Sequence, residues 1–400
     1  MNQGESILSP WTRWDLVVID EAHRLRNVYK SGNKIGRALR SALVNVPKVL
    51  LTATPLQNSL MELYGLVSFI DEYAFGDEKS FRAKYARLTS DIQFSELKAR
   101  LKPLCHRTLR RQVLEYVKFT NRQAFTQEFW PSQDEQDLYD MVSDYLQRPE
   151  LNALPSAQRK LMTLVMRKLL ASSTFAIAGA LGSLVNKLIR QLKENSRLVE
   201  RLEGLEEDFE TLEEYEDEME EEEQVPLEEH EIEAIREEIG DLETFRDLAV
   251  SITENAKGMA LIEGLKAGFA KAAGLGAANK AIIFTESRQT QNYMVKLLSE
   301  HGYADKLVLF NGSNNDEQSR AIYKECKALH SGTDLITGSL TSDKRDALVD
   351  YFRNHAHIMI ANEAAAECIN LQFCSLLVNY DLPWNPMRFE QRIGRFHRFG

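Results

Sequence analysis

Cysteine is scarce in this 400-residue chain: Cys105, Cys326, Cys368 and Cys374 are the only four, and no two form a CxxC pair. No histidines cluster at ligand spacing, so neither a disulfide framework nor a zinc site is encoded, and the thiols are expected to be free and buried. Long hydrophobic runs are missing too. The N-terminal MNQGESILSP has neither a basic start nor an apolar core, and the longest mild run, Ala171 to Val185, is too short and too rich in Gly and Ser to span a bilayer. The expectation is a cytoplasmic chain. Positive charge is almost absent from residues 200–243, which hold 23 Asp or Glu against two Arg, a local net of −21. The remainder therefore carries +10 within an overall −11, and a basic body with one acidic arm is compatible with a polyanionic partner.

What is present is ordinary globular material, 44% apolar, enough for two or three domains. Residues 14–75 alternate short apolar runs (LVVID, KVLLTATPLQN) with helix-like stretches, which is βαβα patterning. Residues 80–146 read as mainly helical with an extended piece near QAFTQEFW, and residues 155–193 carry a long amphipathic pattern through Leu161, Leu164, Val165, Leu169 and Leu170. In the acidic arm Leu198, Leu202, Leu205, Phe209, Leu212, Tyr215 or Glu216, and then Met219 step by threes and fours, close to a coiled-coil seam, and the stepping resumes at Ile232, Ile235, Ile239 and Leu242. A hairpin of two helices folded across Val225 and Pro226 accounts for this; a solvated acidic spacer and a protein-binding or DNA-mimicking arm are both open as its role. From residue 280 the rhythm returns with KAIIF, KLVLF, DLITG, HIMIA and SLLVNYD, separated by helical stretches, which argues a second parallel sheet covered on both faces. The expected divisions are residues 1–130, 131–260 and 261–400.

Three motifs carry chemistry. Asp20 and Glu21, followed by His23, stand at the end of the strand LVVID. Such a pair suits nucleotide hydrolysis: Asp20 can hold a hydrated Mg2+, Glu21 can polarise the attacking water, and His23 can report the state of the site, although adjacent acids also occur simply as a helix N-terminal charge pair. Thr52 and Thr54 end the following strand, within hydroxyl reach of the acids if the two strands are neighbours. Gln391, Gly394, Arg395 and Arg398 are spaced to send two guanidiniums toward a γ-phosphate from a second domain; a basic helical face for nucleic-acid backbone is the alternative.

The order DEAH, TATPLQN, AIIFTES, GSLTSDKR, NEAAAECINLQFC, DLPWNP and QRIGRFHR resembles the SWI/SNF-type ATPases of helicase superfamily two, with a RapA-like flavour. The resemblance covers nearly all of the chain outside the acidic arm. It implies an α/β fold of two RecA-like parallel-sheet lobes, the first incomplete, with a helical acidic insertion between them, and a motor that uses ATP and Mg2+ to move along duplex DNA. By position it assigns Asp20, Glu21, Arg395 and Arg398 to catalysis and His23, Thr52, Thr54, Gln391 and Gly394 to ATP binding and coupling. Ser287, Asn362, Glu363 and Asn370 fall where the family contacts nucleic-acid backbone; Trp384 reads as a packed loop anchor, with base stacking as the alternative.

The sequence also departs from the family. Asn362 stands where a Thr is usual and Cys368 where a Gly is usual. No phosphate loop is found: GLGAANKA, residues 274–281, has Asn279 and Ala281 where Gly and Ser or Thr belong, and it leads into a strand rather than out of one. The expectation is a DNA-dependent ATPase cut at both ends, weak or inactive alone, with apolar sheet surface exposed in its first lobe. A non-catalytic nucleic-acid or protein-binding module on the same fold is the alternative; an RNA-unwinding enzyme is disfavoured by TATPLQN and DLPWNP.

Overall fold

The computed structural model describes residues 14–30, 32–52, 55–56, 59–85, 90–108, 112, 123–154, 159–194, 229–330, 338–362, 371–383 and 386–396. The chain divides into two units, residues 1–117 and 118–400.

In the first unit, β1 (Val17–Ile19) and β2 (Lys48–Leu50) pair in parallel with Val18 beside Val49, joined through a turn at Ala22–Leu25 and helix α1 (Lys34–Ala42). A parallel pair needs such a crossover. One face of the pair, Val17, Ile19 and Leu50, packs on Ala22, Leu25, Val28, Leu43, Leu66 and Phe69. The other face, Leu16, Val18, Val49 and Leu51, stays exposed, Val18 by 55% and Val49 by 42%. Helix α2 (Leu60–Ile70) is capped by the Ser59 hydroxyl, which accepts from Met61 N at 3.1 Å, and it is buried from Met61 to Phe69, as a helix apolar all round should be. Its second side meets α3 (Glu78–Tyr85) through rings of Tyr64, Phe75, Phe81 and Tyr85, with Phe81 about equally close to the other three, at 5.1, 4.9 and 5.0 Å. Helix α4 (Asp91–Leu101) adds Leu97 to this cluster.

The second unit's described residues open with a stretch without regular secondary structure, residues 123–132, and then α5 (Gln133–Gln147), started by a capping box in which Ser132 and Glu135 satisfy each other's backbone N–H groups. The amphipathic pattern of residues 155–193 resolves into two helices, α6 (Arg159–Ser172) and α7 (Thr174–Glu194), broken where the Ser173 hydroxyl turns back to accept from Ala176 N at 3.1 Å. Helix α8 (Glu229–Ser251) returns alongside α7, so that Ile235, Leu242, Phe245 and Ala249 share one core with Leu181, Leu184, Val185 and Leu188. The first arm and turn of the expected acidic hairpin, at residues 195–228, lie outside the described residues; the second arm is the start of α8.

Helix α9 (Ala256–Gly274) leads into a four-stranded parallel sheet of order β4-β5-β3-β6, built from β3 (Ala281–Phe284), β4 (Leu307–Phe310), β5 (Ile358–Ala361) and β6 (Leu376–Asn379). The helices α10 (Arg288–Leu298), α11 (Glu317–Leu329) and α12 (Leu340–Asn354) intervene, and α13 (Pro386–Phe396) follows β6. Alternate strand residues face opposite ways. Ile282, Phe284, Val308, Phe310 and Met359 pack with Ile322, Leu348 and Phe352, while Ala281, Ile283, Leu307, Ile358 and Ile360 pack with Leu261, Leu265, Met294 and Leu298. This double burial is why these strands are continuously apolar in sequence. The DLITG run lies outside the described residues except for Gly338. The thiols are less uniform than expected: Cys374 is buried, Cys326 half-buried and Cys105 exposed, because Cys105 sits just past the end of α4, beyond the reach of its core.

One buried carboxylate pins the helical part. Glu238 of α8 accepts from the Tyr145 hydroxyl at 2.7 Å, Asn152 N at 2.8 Å, Asn152 Nδ2 at 3.0 Å and Ala153 N at 3.1 Å. Glu238→Ala leaves these donors without a partner and is expected to lower stability by about 3 kcal/mol in urea unfolding. The exposed neighbour substitution Glu237→Ala is expected to stay within about 0.5 kcal/mol, and equal effects of the two would contradict this role.

Candidate functional site

In the first unit the backbone itself assembles the acid pair beside the threonine segment. Leu51 N donates to Ile19 O at 2.8 Å and Ala22 N donates to Leu51 O at 2.9 Å, so the chain leaving β1 stays bonded to the chain leaving β2. Asp20, Glu21 and Thr52 thus converge at the carboxyl ends of neighbouring parallel strands, the place where open α/β sheets present ligand groups. Thr54 lies outside the described residues. Asp20 is exposed, and its Oδ1 accepts from Glu21 N at 2.8 Å. Glu21 takes a left-handed backbone, φ 49 and ψ 42, which a residue with a Cβ adopts only at a cost and which clusters at functional positions. Its Oε2 stands 3.2 Å from His23 Nδ1. Burial lowers the His23 pKa, with Arg26 and Arg24 acting in the same direction, and the opposing pull of Glu21 does not restore it, so the imidazole is neutral at neutral pH.

The turn carrying these groups is held from below. A Cβ on Gly65 would come within 1.9 Å of the Arg26 carbonyl, so α2 approaches the turn as closely as only glycine permits, and Arg26 Nε lies 3.7 Å from the buried Glu62. The donor set fits a hydrated Mg2+: two hard carboxylates, one of them open to solvent, and a hydroxyl next to them.

In the second unit Ser287 and Asn362 lie just past the carboxyl ends of β3 and β5, which pair in parallel. Ser287 is fully buried and caps α10, accepting from Thr290 N at 3.3 Å, so its hydroxyl is committed inside the fold. Asn362 is 2% exposed; its N–H donates to Phe310 O at 3.2 Å, and its Oδ1 has no hydrogen-bond partner among the described residues. Neither presents a surface group to a polyanion. Glu363, Cys368, Asn370, Trp384 and Arg398 lie outside the described residues. Gln391, Gly394 and Arg395 belong to α13, and the side chains of Gln391 and Arg395 are not described.

Sequence reasoning missed the polar residues around them. Arg392, 1% exposed, donates through Nη1 to Asp381 O at 3.1 Å and Asn379 Oδ1 at 3.2 Å, with its guanidinium 4.8 Å from the centre of the Phe284 ring. The Asp381 carboxylate, 5% exposed, accepts from Lys257 Nζ at 2.8 Å, Thr285 Oγ1 at 2.6 Å, Ser172 Oγ at 2.7 Å and Glu286 N at 3.2 Å. Burial works to raise the Asp381 pKa, but Lys257 and then the Thr285 and Ser172 hydroxyls outweigh it and hold the carboxyl below the ordinary 3.8. The available signal was position: an acid immediately after the apolar run LLVNY ends a strand pointing at the same edge as Glu21 does in the first unit.

The left-handed backbone at Glu21 yields a test. Glu21→Gly relieves the strain and removes the carboxylate, so the first unit is expected to gain roughly 1 kcal/mol in denaturant unfolding. A marked loss of stability would show that Glu21 is there for packing.

A family profile described as the SNF2-related domain matches residues 3–182, and the helicase conserved C-terminal domain matches residues 274–400. The chain is 30% identical over 391 residues to the uncharacterized ATP-dependent helicase YqhH of Bacillus subtilis, covering 97% of this chain and 54% of that protein, so it spans about half the relative's length. It is 41% identical over 101 residues, 25% of the chain and 3% of the relative, to chromodomain-helicase-DNA-binding protein 9 of Mus musculus. Among solved structures, the SWI2/SNF2 ATPase core of Sulfolobus solfataricus in complex with dsDNA is similar over 96% of this chain and 61% of its own, at 15% identity and a TM-score of 0.32. The Hef helicase domain of Pyrococcus furiosus is similar over 95% and 68%, at 16% identity and a TM-score of 0.41. The motif order in the sequence and the two matching profiles agree, and the chain belongs to the SWI/SNF-type, SNF2-related family of helicase superfamily two.

Proposed function

We propose that this chain carries the water-activating and arginine-bearing parts of an ATP-driven translocase that moves along duplex DNA. The observation that carries the reading is the bonded register of β1 and β2, which brings Asp20, Glu21 and Thr52 to one strand edge. Asp20 would hold a hydrated magnesium ion, and Glu21 would accept hydrogen bonds from the attacking water and orient it. Bound Mg2+ neutralises charge that develops on the phosphoryl oxygens. The neutral His23 stands beside the Glu21 carboxylate, its Nδ1 3.2 Å from Oε2, and Thr52 and Thr54 pass the state of the site to the rest of the motor. Arg395 and Arg398 stabilise charge on the terminal phosphate.

Duplex DNA as the track fits the positive charge of the body and the chromodomain-helicase-DNA-binding relative named above. The 400 residues include no stretch that fits the phosphate-loop pattern, so hydrolysis by this chain alone is weak.

The test is Mg2+-dependent ATP hydrolysis by the purified chain with duplex DNA, with structured RNA, and with neither. Slow hydrolysis that duplex DNA stimulates, that chelation of Mg2+ stops, and that Glu21→Gln lowers by about 100-fold supports the reading. Hydrolysis that survives Glu21→Gln, or that RNA stimulates better than duplex DNA, overturns it.

A further inference from the structure

The carboxylate of Asp381 lies where five elements meet. It follows β6, and it accepts from Thr285 and Glu286 N just after β3, from Ser172 at the last residue of α6, and from Lys257 in the first turn of α9. Its own backbone carbonyl accepts from Arg392 of α13. The same groups are tied a second time. Thr290 Oγ1 is 2.9 Å from both Ser172 Oγ and Ser173 Oγ, Lys257 Nζ also donates to Ala171 O at 2.9 Å, and Lys168, one turn before Ser172, pairs with the buried Glu286. Lys257 thereby satisfies a carbonyl at the end of α6 that the helix itself cannot.

These contacts form a continuous polar path with two ends. At one end is the α6–α7 junction, Ser172 and Ser173, from which α7 runs out against α8; the acidic stretch lies in sequence between α7 and α8. At the other end is Arg392, on the helix that also carries Gln391 and Arg395. A buried ionised network of this kind is a poor source of stability compared with apolar packing, but it admits few arrangements. That is the property needed where a helix must be held in register.

We propose that Asp381 is a positioning residue for α13, fixing the arginine-bearing helix to the α6–α7 junction, so that the helical pair α7–α8 and the arginines are set by one buried carboxylate. This rests on the reading of α13 given above. Asp381 touches no reacting atom; it acts through the Arg392 contact and through the strand ends that seat the helix. Loss of the network therefore slows the step that needs the arginines and leaves nucleotide capture in place, a fall in kcat with little change in KM.

The test is hydrogen–deuterium exchange on the full chain, because exchange reports α13 whether or not the chain hydrolyses ATP. The variants are Asp381→Asn, Ser172→Ala, Thr285→Val and Thr285→Ser. Amides of residues 386–396 are expected to exchange about tenfold faster in Asp381→Asn, Ser172→Ala and Thr285→Val, with protection restored in Thr285→Ser, which keeps the hydroxyl. Amides of β1 and β2 serve as the reference and stay unchanged. Should Asp381→Asn fail to fold, the Ser172 and Thr285 variants decide alone. Unchanged protection of α13 in the hydroxyl-deleted variants, or loss that Thr285→Ser does not restore, overturns the proposal. Faster exchange of α13 in these variants, in a chain whose hydrolysis survives Glu21→Gln, upholds the positioning role and removes the nucleotide reading. Hydrolysis with α13 equally protected in every variant does the reverse.

Discussion

A carboxylate shut away from water survives in its ionised form only when donors replace the water it lost, and Asp381 is the clearest case in this chain. Its donors are one ammonium, two hydroxyls and one backbone N–H, drawn from α9, α6 and the end of β3. Leaving such a group short of its partner costs about 3–5 kcal/mol, so sheet and helices of the second unit must close together rather than independently. The apolar packing on both faces of the β4-β5-β3-β6 sheet supplies most of the driving force, but it tolerates small slips; the network at the strand ends does not.

The first unit obeys a different constraint. Its site is made by backbone pairing, with β1 and β2 in a register that leaves Asp20 and Glu21 next to Leu51 and Thr52, and by a turn pressed on α2 at Gly65. The strain at Glu21 is the kind that persists only when its surroundings determine it: buried Ala22 on one side and the bonded β2 end on the other. The two parallel sheets match the two RecA-like lobes of the family, and in both the polar chemistry lies at the carboxyl ends of the strands. Among the described residues, only one face of the β1–β2 pair is covered, whereas both faces of the second sheet are. The strands are alike in apolar sequence, and the exposure of Leu16, Val18, Val49 and Leu51 is the apolar sheet surface expected of the first lobe.

Much of this was legible in the residues. Apolar runs such as KAIIF and HIMIA became buried strands because parallel strands covered on both faces have no polar alternate positions, and Asp20 and Glu21 lie beside Leu51 and Thr52 because β1 and β2 are adjacent in the sheet. The Asp381 network was not legible, since its partners stand 209, 124 and 96 residues away in sequence and no local pattern marks them. Ser287 shows the limit of assignment by motif position: a hydroxyl in the right place along the chain is folded inward as a helix cap. Arg392 shows it in the opposite sense, since an arginine in a basic helical stretch reads as surface and is among the most deeply buried side chains. In the acidic arm, stepping at Ile235 and Leu242 correctly signalled an apolar helix face, while its partner proved to be α7.

The second unit depends on Asp381 being ionised inside the protein and held so by Lys257 and the Thr285 and Ser172 hydroxyls. The most direct measurement is the titration of its side-chain carboxyl by carbon-13 NMR, with the Asp381→Asn spectrum for assignment. A folded-state pKa depressed below the ordinary 3.8 means the native state sheds its proton before the unfolded chain does, so the network's contribution is intact above that value and is lost as pH falls through the lower one. The account predicts a resonance still in its ionised position at pH values where exposed aspartates are half protonated. A carboxyl that takes up its proton above 3.8 would mean that burial outweighs its partners, and the node on which the second unit is built would not exist.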